Sequence, residues 1–287
     1  MSQPPMSFPI PLIALGPGSQ PDDEEPHYLP MPRAMRTFRG PSLPDAEVMA
    51  ELTPARAVLQ RTQAAARVAT SAARPGPGTV RIALDGLDGR NLGLIDQILG
   101  EGEVSAKVAT GDGPIRVQES VFAGIWRVRT FDHSDTCVAD AIEVGELPEA
   151  VARAGCDGRP LPVAPASVPP GAASALALLA EIAEHLRSAA SQHVVNLTLL
   201  PFSPEDGDAL EQALGRGAVS LLSRGYGNCR ISATGVARLW WVQYFNSQDL
   251  MILNTLEIAD TPEVARAAPQ DLEDSALRLG EVLDWIH

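Results

Sequence analysis

The chain contains two consecutive segments that resemble each other in sequence and in the order of their motifs. Residues 99–105, Leu-Gly-Glu-Gly-Glu-Val-Ser, match residues 214–220, Leu-Gly-Arg-Gly-Ala-Val-Ser, at an offset of 115. Further on, residues 125–131, Ile-Trp-Arg-Val-Arg-Thr-Phe, match residues 239–245, Leu-Trp-Trp-Val-Gln-Tyr-Phe, at an offset of 114. Matches that keep their order with single-residue gaps indicate a duplication. The sequence therefore predicts a tandem repeat of one structural unit.

Each repeat shows the same succession of helical and strand patterns, judged from the spacing of its apolar residues. This succession predicts an α+β fold, a tandem duplication of an α-β-α-β-β-β-α unit with mostly antiparallel sheets. The predicted helices cover residues 45–70, 91–99, 172–191 and 204–214, and Pro148 and Pro262 each open a short closing helix. The predicted strands cover residues 79–84, 115–121, 125–131 and 137–144 in the first repeat, and 194–199, 229–234, 239–245 and 250–258 in the second.

Proline and glycine mark the predicted boundaries of these repeats. Residues 1–44 hold 11 of the 25 prolines and predict an extended Pro-rich arm that precedes the fold. Residues 155–171 form a Pro/Gly-rich stretch that predicts a linker. The first α+β repeat is accordingly expected at 45–154 and the second at 172–287.

Charge and cysteine content exclude several classes of protein. The formal net charge of −14 disfavours a nucleic-acid binder, because neutralising phosphates requires an excess of Lys and Arg. A basic protein partner is electrostatically easier. The three cysteines, Cys137, Cys156 and Cys229, are widely spaced, which favours reduced thiols in a cytoplasmic protein. The longest apolar stretches are too short for a membrane span, so no membrane insertion is expected.

Motifs for catalysis, cofactors or metals do not emerge from the sequence. It lacks a phosphate-binding loop, a three-glycine dinucleotide fingerprint and a hydrolase nucleophile elbow. His185 and His193 are eight residues apart, a spacing that does not put two metal ligands on one helical face. We expect no catalytic residues, no cofactor and no metal, and hence a protein that is not an enzyme.

Strand alternation points to a possible binding surface in the second repeat. Trp241 and Gln243 stand where the first repeat has Arg127 and Arg129, so both faces of this strand are largely apolar. Either the arm or the other repeat covers the additional face, or its aromatic side chains bind a partner. The candidate partner-binding residues are Trp241, Phe245, Tyr226, Asn228, Cys229 and Arg230.

Cys229 supports two interpretations. It aligns with Ile115 of the first repeat, which favours a buried thiol that packs like a small apolar side chain. Gly227, Asn228 and Arg230 are also compatible with an exposed thiol whose pKa the guanidinium lowers. The second interpretation leaves a redox role for Cys229 open.

Three segments together resemble a known family. They are residues 10–41 of the arm, the run Gly225-Tyr-Gly-Asn-Cys-Arg-Ile231 and residues 239–258. They are similar to the hydrogenase expression and formation proteins called HupH, HyaF or HoxQ, and the resemblance covers nearly the whole chain. The first repeat departs from the Gly-Asn-Cys-Arg pattern with Gly113-Pro-Ile-Arg116, so any role of that motif belongs to the second repeat.

The resemblance implies a chaperone-like accessory role in maturing the iron–sulfur small subunit of a nickel–iron uptake hydrogenase before twin-arginine export. It implies two partners, the small-subunit precursor and a thioredoxin-like maturation protein of the HyaE, HoxO or HupG type, and it assigns no catalytic residues. The acidic chain is expected to attract the basic end of that precursor. The alternative is a redox or iron–sulfur cluster assembly accessory that acts through Cys229.

Overall fold

The computed structural model describes residues 51–71, 79–161, 171–188, 192–225 and 227–285. The predicted arm at 1–44 and much of the predicted linker lie outside these residues. Within them the helices are α1 (Thr53–Ser71), α2 (Gly89–Leu99), α3 (Glu149–Cys156), α4 (Ala173–Arg187), α5 (Pro204–Leu214) and α6 (Pro269–Asp284), with 3-10 turns at Leu197–Leu199 and Glu263–Ala265. The strands are β1 (Val80–Ala83), β2 (Val104–Thr110), β3 (Gly113–Glu119), β4 (Ile125–Phe131), β5 (Cys137–Val144), β6 (His193–Asn196), β7 (Arg216–Ser223), β8 (Asn228–Thr234), β9 (Leu239–Phe245) and β10 (Met251–Ile258).

All ten described strands form one sheet in the order β1-β5-β4-β3-β2-β7-β8-β9-β10-β6. Every pairing is antiparallel. Each repeat contributes five neighbouring strands, and the two halves join where β2 pairs with β7. The predicted α+β fold with two antiparallel repeats is confirmed. Each repeat has one strand more than predicted, β2 or β7, and these two strands make the junction.

A local two-fold axis relates the two halves of the sheet. Ala106 pairs with Leu221, and these residues are equivalent at the offset of 115. On either side of this pair, Ser105 pairs with Leu222 and Lys107 pairs with Ser220. At the same offset, Ser105 is equivalent to Ser220 and Lys107 is equivalent to Leu222, so the two pairs are equivalent to each other. The axis therefore passes between Ala106 and Leu221.

Caps in the sequence determine where two of the helices begin. The Asp88 carboxylate accepts a hydrogen bond from the Asn91 backbone N–H at 2.8 Å and opens α2. Ser203 and Asp206 form a reciprocal capping box at α5, with Pro204 in the first turn. Hydrogen bonds from backbone N–H groups hold the pKa of both the Asp88 and the Asp206 carboxyl below its usual value. Among the described helices, none combines the length and apolar character of a bilayer span.

The described helices cover the two ends of one sheet face and leave its middle strands uncovered. At the first-repeat end, α1, α2 and α6 pack over Ile125, Ile142 and Val144. At the second-repeat end, α4 and α5 pack over Leu239, Leu256 and Ile258. Helix α6 belongs to the second repeat in sequence, but its Leu272, Ala276, Leu279 and Leu283 complete the first-repeat core.

The opposite sheet face is covered along the junction. Trp126 and Trp240, equivalent in the two repeats, are both fully buried there with Val151 of α3. Their indole N–H groups donate to equivalent carbonyls, Trp126 to Gly145 at 2.9 Å and Trp240 to Ala259 at 3.1 Å. Gly155 of α3 lies directly against the Trp240 ring, so α3 of the first repeat contacts the core of the second. The two repeats share one sheet and exchange packing elements.

Candidate partner-binding surface

The uncovered middle of the helix-covered face runs from β4 to β9, and we call it the central face. A groove of about 640 Å³ opens over its first-repeat part and is bordered by Asp96, Gly100 and Glu101 at the end of α2. Two transverse rows of paired side chains form the floor of the whole central face. The central row is Arg129, Arg116, Lys107, Ser220, Ser232 and Trp241. The neighbouring row is Arg127, Gln118, Ser105, Leu222, Arg230 and Gln243.

Strand register places the side chains of the central row on one face. Residues directly opposite each other in antiparallel strands point the same way. Lys107 lies opposite Arg116, and Arg116 lies opposite Arg129, so three cations stand side by side on β2, β3 and β4. Beyond Lys107 the row continues through two serines to an indole. The central row therefore has a cationic half in the first repeat and a neutral, partly aromatic half in the second.

The arginines of β4 are balanced by carboxylates. Arg127 is buried and makes two hydrogen bonds to Asp140, from Nε to Oδ1 at 2.5 Å and from Nη2 to Oδ2 at 2.6 Å. Its Nη1 also donates to Asp96 at 2.8 Å, and Arg129 Nη2 lies 3.1 Å from the same carboxylate oxygen. Two aspartates therefore compensate these two charges, as buried charged groups require.

Arg116 and its equivalent in the second repeat, Arg230, each lie over a phenylalanine ring. The Arg116 guanidinium lies 4.1 Å from the centroid of Phe131 and forms an ion pair with Asp135. Its equivalent, Arg230, lies 5.6 Å from the centroid of Phe245. Arg230 is exposed and has no ion pair within the part of the chain that the structure describes.

Lys107 is an exposed cation near the centre of the sheet. Its side chain makes no ion pair with any residue in the described ranges. It is also the single lysine in the chain. Sequence reasoning did not select it, because β2 was not predicted as a strand. The available signal was the alternation of Ala106 and Val108 around it, which is typical of a strand with one buried face.

Trp241 is half-buried and belongs to the central face. Its ring packs against the second-repeat core, which is formed by residues of both the helices and the sheet. Its Nε1 donates to Asn254 Oδ1 at 2.5 Å. The sequence predicted cover of this face by the arm or by the other repeat. The described residues that pack against Trp241 come from its own repeat instead, and the arm lies outside the described residues.

Phe245 and Asn228 lie at the far end of β8 and β9. The two residues are paired in register, and Asn228 Nδ2 donates to Asp249 Oδ1 at 3.1 Å. Phe245 also pairs with Met251, next to the exposed apolar tip of the β9–β10 hairpin. The large apolar side chains exposed there are Leu250, Met251 and Ile252. Tyr226 lies outside the described residues.

Cys229 points away from the central face. It is 3% exposed and packs with Ile231 and Val242 on the opposite side of the sheet. Burial raises the pKa of its thiol to about 11, although a hydrogen bond with Tyr244 acts in the other direction. Because alternate strand residues face opposite sides, Cys229 does not line the same surface as Asn228 and Arg230.

A second cluster, Glu181, His185 and His193, lies at the second-repeat end of the molecule. Their potential ligand atoms are within 4.8 Å of one another. The imidazole rings are stacked, with centroids 3.6 Å apart and planes 7° from parallel, and His193 Nε2 is 2.7 Å from Glu181 Oε1. A metal bound to imidazole lies near the plane of the ring, whereas stacked rings present their faces to each other. The cluster is arranged as a hydrogen-bonded stack.

Comparison with known proteins identifies the family. The model of the HupH hydrogenase expression protein, C-terminal conserved region, matches twice, at residues 52–158 and 172–286. The chain is 49% identical to the hydrogenase expression/formation protein HoxQ of Cupriavidus necator, over 98% of each chain. It is 43% identical to hydrogenase expression/formation protein HupH of Rhodobacter capsulatus, over 98% of each. It is 34% identical to the hydrogenase-1 operon protein HyaF of Escherichia coli, over 95% of each. The two family matches coincide with the two halves of the sheet, and the chain belongs to the HupH family of hydrogenase expression proteins.

Proposed function

We propose that this protein is an accessory factor of hydrogenase maturation that binds the iron–sulfur small-subunit precursor of a nickel–iron uptake hydrogenase before twin-arginine export. Two relatives that carry the name hydrogenase expression/formation protein align along 98% of this chain, which supports a shared role. The precursor is made in the cytoplasm, so the proposal places the protein there.

The central face is the observation that carries this proposal. Both ends of the same sheet face are covered by helices, while the middle keeps exposed Lys107, Arg116 and Arg230. An open, elongated floor of hydrogen-bonding and aromatic side chains suits a polypeptide segment better than a small substrate, which enzymes enclose in a deep pocket. We therefore assign the protein a binding role and not a catalytic one.

The alternative redox role through Cys229 fits its surroundings poorly. The thiolate is the reactive form, and a pKa of about 11 leaves little thiolate at neutral pH. The residue is also buried in the shared core. We propose that Cys229 stabilises the fold, and that any thiol exchange involves the thioredoxin-like maturation partner and not this cysteine.

Co-purification tests the proposed function directly. A tagged copy of the full chain, expressed in a host that makes the hydrogenase, should capture the small-subunit precursor and not the large subunit. A strain that lacks the protein should accumulate unexported small subunit with a depleted cluster content. Normal export and cluster content in that strain would refute the proposed role.

Replacement of Cys229 separates the two roles. Cys229→Ala should leave both precursor capture and hydrogenase activity unchanged if the residue is structural. Loss of activity with full capture and normal thermal stability would instead favour the redox role.

A further inference from the structure

We propose that the central face binds an extended acidic segment of a partner polypeptide, with carboxylates over Lys107, Arg116 and Arg129 and an apolar side chain toward Trp241. This proposal rests on the proposed function in taking the partner to be a protein. It adds the chemistry of the bound segment, whose acidic end lies over the first repeat and whose apolar end lies over the second.

The row of cations is the first argument. Like charges directly opposite each other on neighbouring strands destabilise a sheet. Arg129 and Arg116 have carboxylate partners in Asp96 and Asp135. Lys107 is the last of the three cations, next to Ser220, and it has no ion pair to a described residue. An external carboxylate at this position supplies the missing counter-charge and reduces the repulsion from Arg116.

The dimensions and chemistry of the central row are the second argument. Six strands at a spacing of about 4.8 Å give a row roughly 24 Å long, which an extended segment of about seven residues spans. The hydroxyls of Ser220 and Ser232 lie between the cations and the indole of Trp241. The row therefore fits a segment that is acidic at one end and apolar at the other.

The charge of the whole molecule is the third argument. The chain carries a net charge of −14, so a long polyanion such as nucleic acid is repelled by its surface. A short acidic segment interacts mainly with the charges around the groove, because the more distant charges are screened. Asp96 and Glu101 border the groove, so the attraction comes chiefly from Lys107, whose charge no described carboxylate balances. A basic segment would be repelled by the exposed cations Lys107 and Arg230. The expectation of a basic partner, drawn from the net charge, therefore does not apply to this face.

Carbodiimide cross-linking tests the proposal, because Lys107 is the single lysine of the chain. The probe is a fluorescent synthetic peptide that alternates Glu with Gly in its first half and Leu with Ser in its second, and the control peptide has Lys in place of Glu. With the full chain, the Glu peptide should form a zero-length cross-link at Lys107, located by mass spectrometry, and the Lys peptide should not bind.

Three variants make the result specific. Lys107→Gln should weaken binding of the Glu peptide about threefold, as expected for an exposed charge pair. Lys107→Arg should keep the affinity and lose the cross-link. Arg153→Gln, which removes an exposed charge from α3 on the other side of the sheet, should change neither.

Three outcomes would overturn the proposal: stronger binding of the Lys peptide, equal affinity of wild type and Lys107→Gln, or a cross-link from Lys107 to Asp22, Asp23, Glu24 or Glu25 of the same chain. The last outcome would make the acidic run of the chain itself the occupant. Capture of the small-subunit precursor, measured in parallel, distinguishes the two proposals. Capture without a Lys107 effect refutes only the acidic segment, and absence of capture refutes the proposed function.

Discussion

Trp241 and Asn254 form a neutral hydrogen bond at the positions where the first repeat has the ion pair of Arg127 and Asp140. The indole Nε1 lies 2.5 Å from Asn254 Oδ1, and Arg127 Nε lies 2.5 Å from Asp140 Oδ1. Both members of the pair differ together between the repeats, because a carboxylate opposite an indole would leave a buried charge uncompensated. This paired difference makes one half of the central face cationic and the other aromatic.

A double-mutant cycle should detect this coupling. Asn254→Asp alone and Trp241→Arg alone are each expected to lower the free energy of unfolding, because each leaves a buried charge unpaired. The double variant restores the pair of the first repeat, so we expect a favourable coupling energy of about 1–3 kcal/mol. Urea unfolding gives the free energy of unfolding of the wild type, the two single variants and the double variant. Additive effects of the two substitutions would show that the positions are independent.

Glu119 should make stability depend on pH. Burial raises the pKa of its carboxyl from 4.5 to about 7, despite a hydrogen bond from the Gly124 N–H. The folded chain therefore holds this proton more tightly than the unfolded chain. Its contribution is complete below about pH 4.5, decreases as pH rises through 7 and is absent above, a change of about 3 kcal/mol.

Glu119→Gln tests this contribution while it keeps the acceptor for Gly124. The variant should be more stable than the wild type at pH 8, and the difference should shrink toward pH 5. Thermal unfolding across this range measures it. Glu273→Gln, at an exposed position of α6, is the control and should follow the wild type. If the melting temperatures of the Glu119 variant and the wild type changed in parallel with pH, the raised pKa of Glu119 would be contradicted.

Gly155 should report on packing between the repeats. A Cβ at this position would lie 2.0 Å from Cζ2 of the buried Trp240 ring. Gly155→Ala is therefore expected to destabilise the fold by about 2 kcal/mol or more. Gly93→Ala provides a matched comparison in α2, where an added Cβ meets nothing within 4 Å. That change should stabilise by about 0.5–1 kcal/mol, and urea unfolding measures both. A neutral Gly155→Ala would mean that α3 does not pack on Trp240.

The three thiols should react in a fixed order. Cys137 is exposed and should react first with a disulfide reagent. Cys156 is exposed too, but burial of the sulfur and the Asp260 carboxylate raise the pKa of its thiol, so it should react more slowly. Cys229 should react only after unfolding, since it is buried in the core. Peptide mapping after timed labelling gives the order. Labelling of Cys229 in the native protein at a rate close to that of Cys137 would instead support a redox role for Cys229.

Local patterns were enough to predict many elements of the fold. The bounds of α5 at Pro204–Leu214 and of β4 and β9 agree with the predicted ranges. Hairpin turns are local as well. The Asp132 side chain accepts hydrogen bonds from the Ser134 and Thr136 N–H groups, and Asn246 does the same for Gln248 and Leu250. Such short-range hydrogen bonds depend only on neighbouring residues.

Two features of the fold could not be predicted from local patterns, because they depend on contacts between the repeats. Strands β2 and β7 lie at the junction of the repeats, and each pairs with a partner strand from the other repeat. The packing of α6 on α1 likewise joins the end of the described chain to its start. Periodicity within one segment cannot indicate such a partner, because it reports only which side of an element is apolar.

The sequence by itself determined the duplication and the α+β unit, because these follow from local spacing and from comparison of the repeats. It left Cys229 open between a buried and an exposed thiol, and the tertiary structure buries it. Tertiary structure alone decided that the repeats share one sheet, that Lys107 stands beside Arg116 and Arg129, and that helices leave this row uncovered. The physical reason is strand register. Hydrogen bonds between distant segments choose which side chains become neighbours, and here they gather scattered cations of an acidic chain at the middle of its sheet.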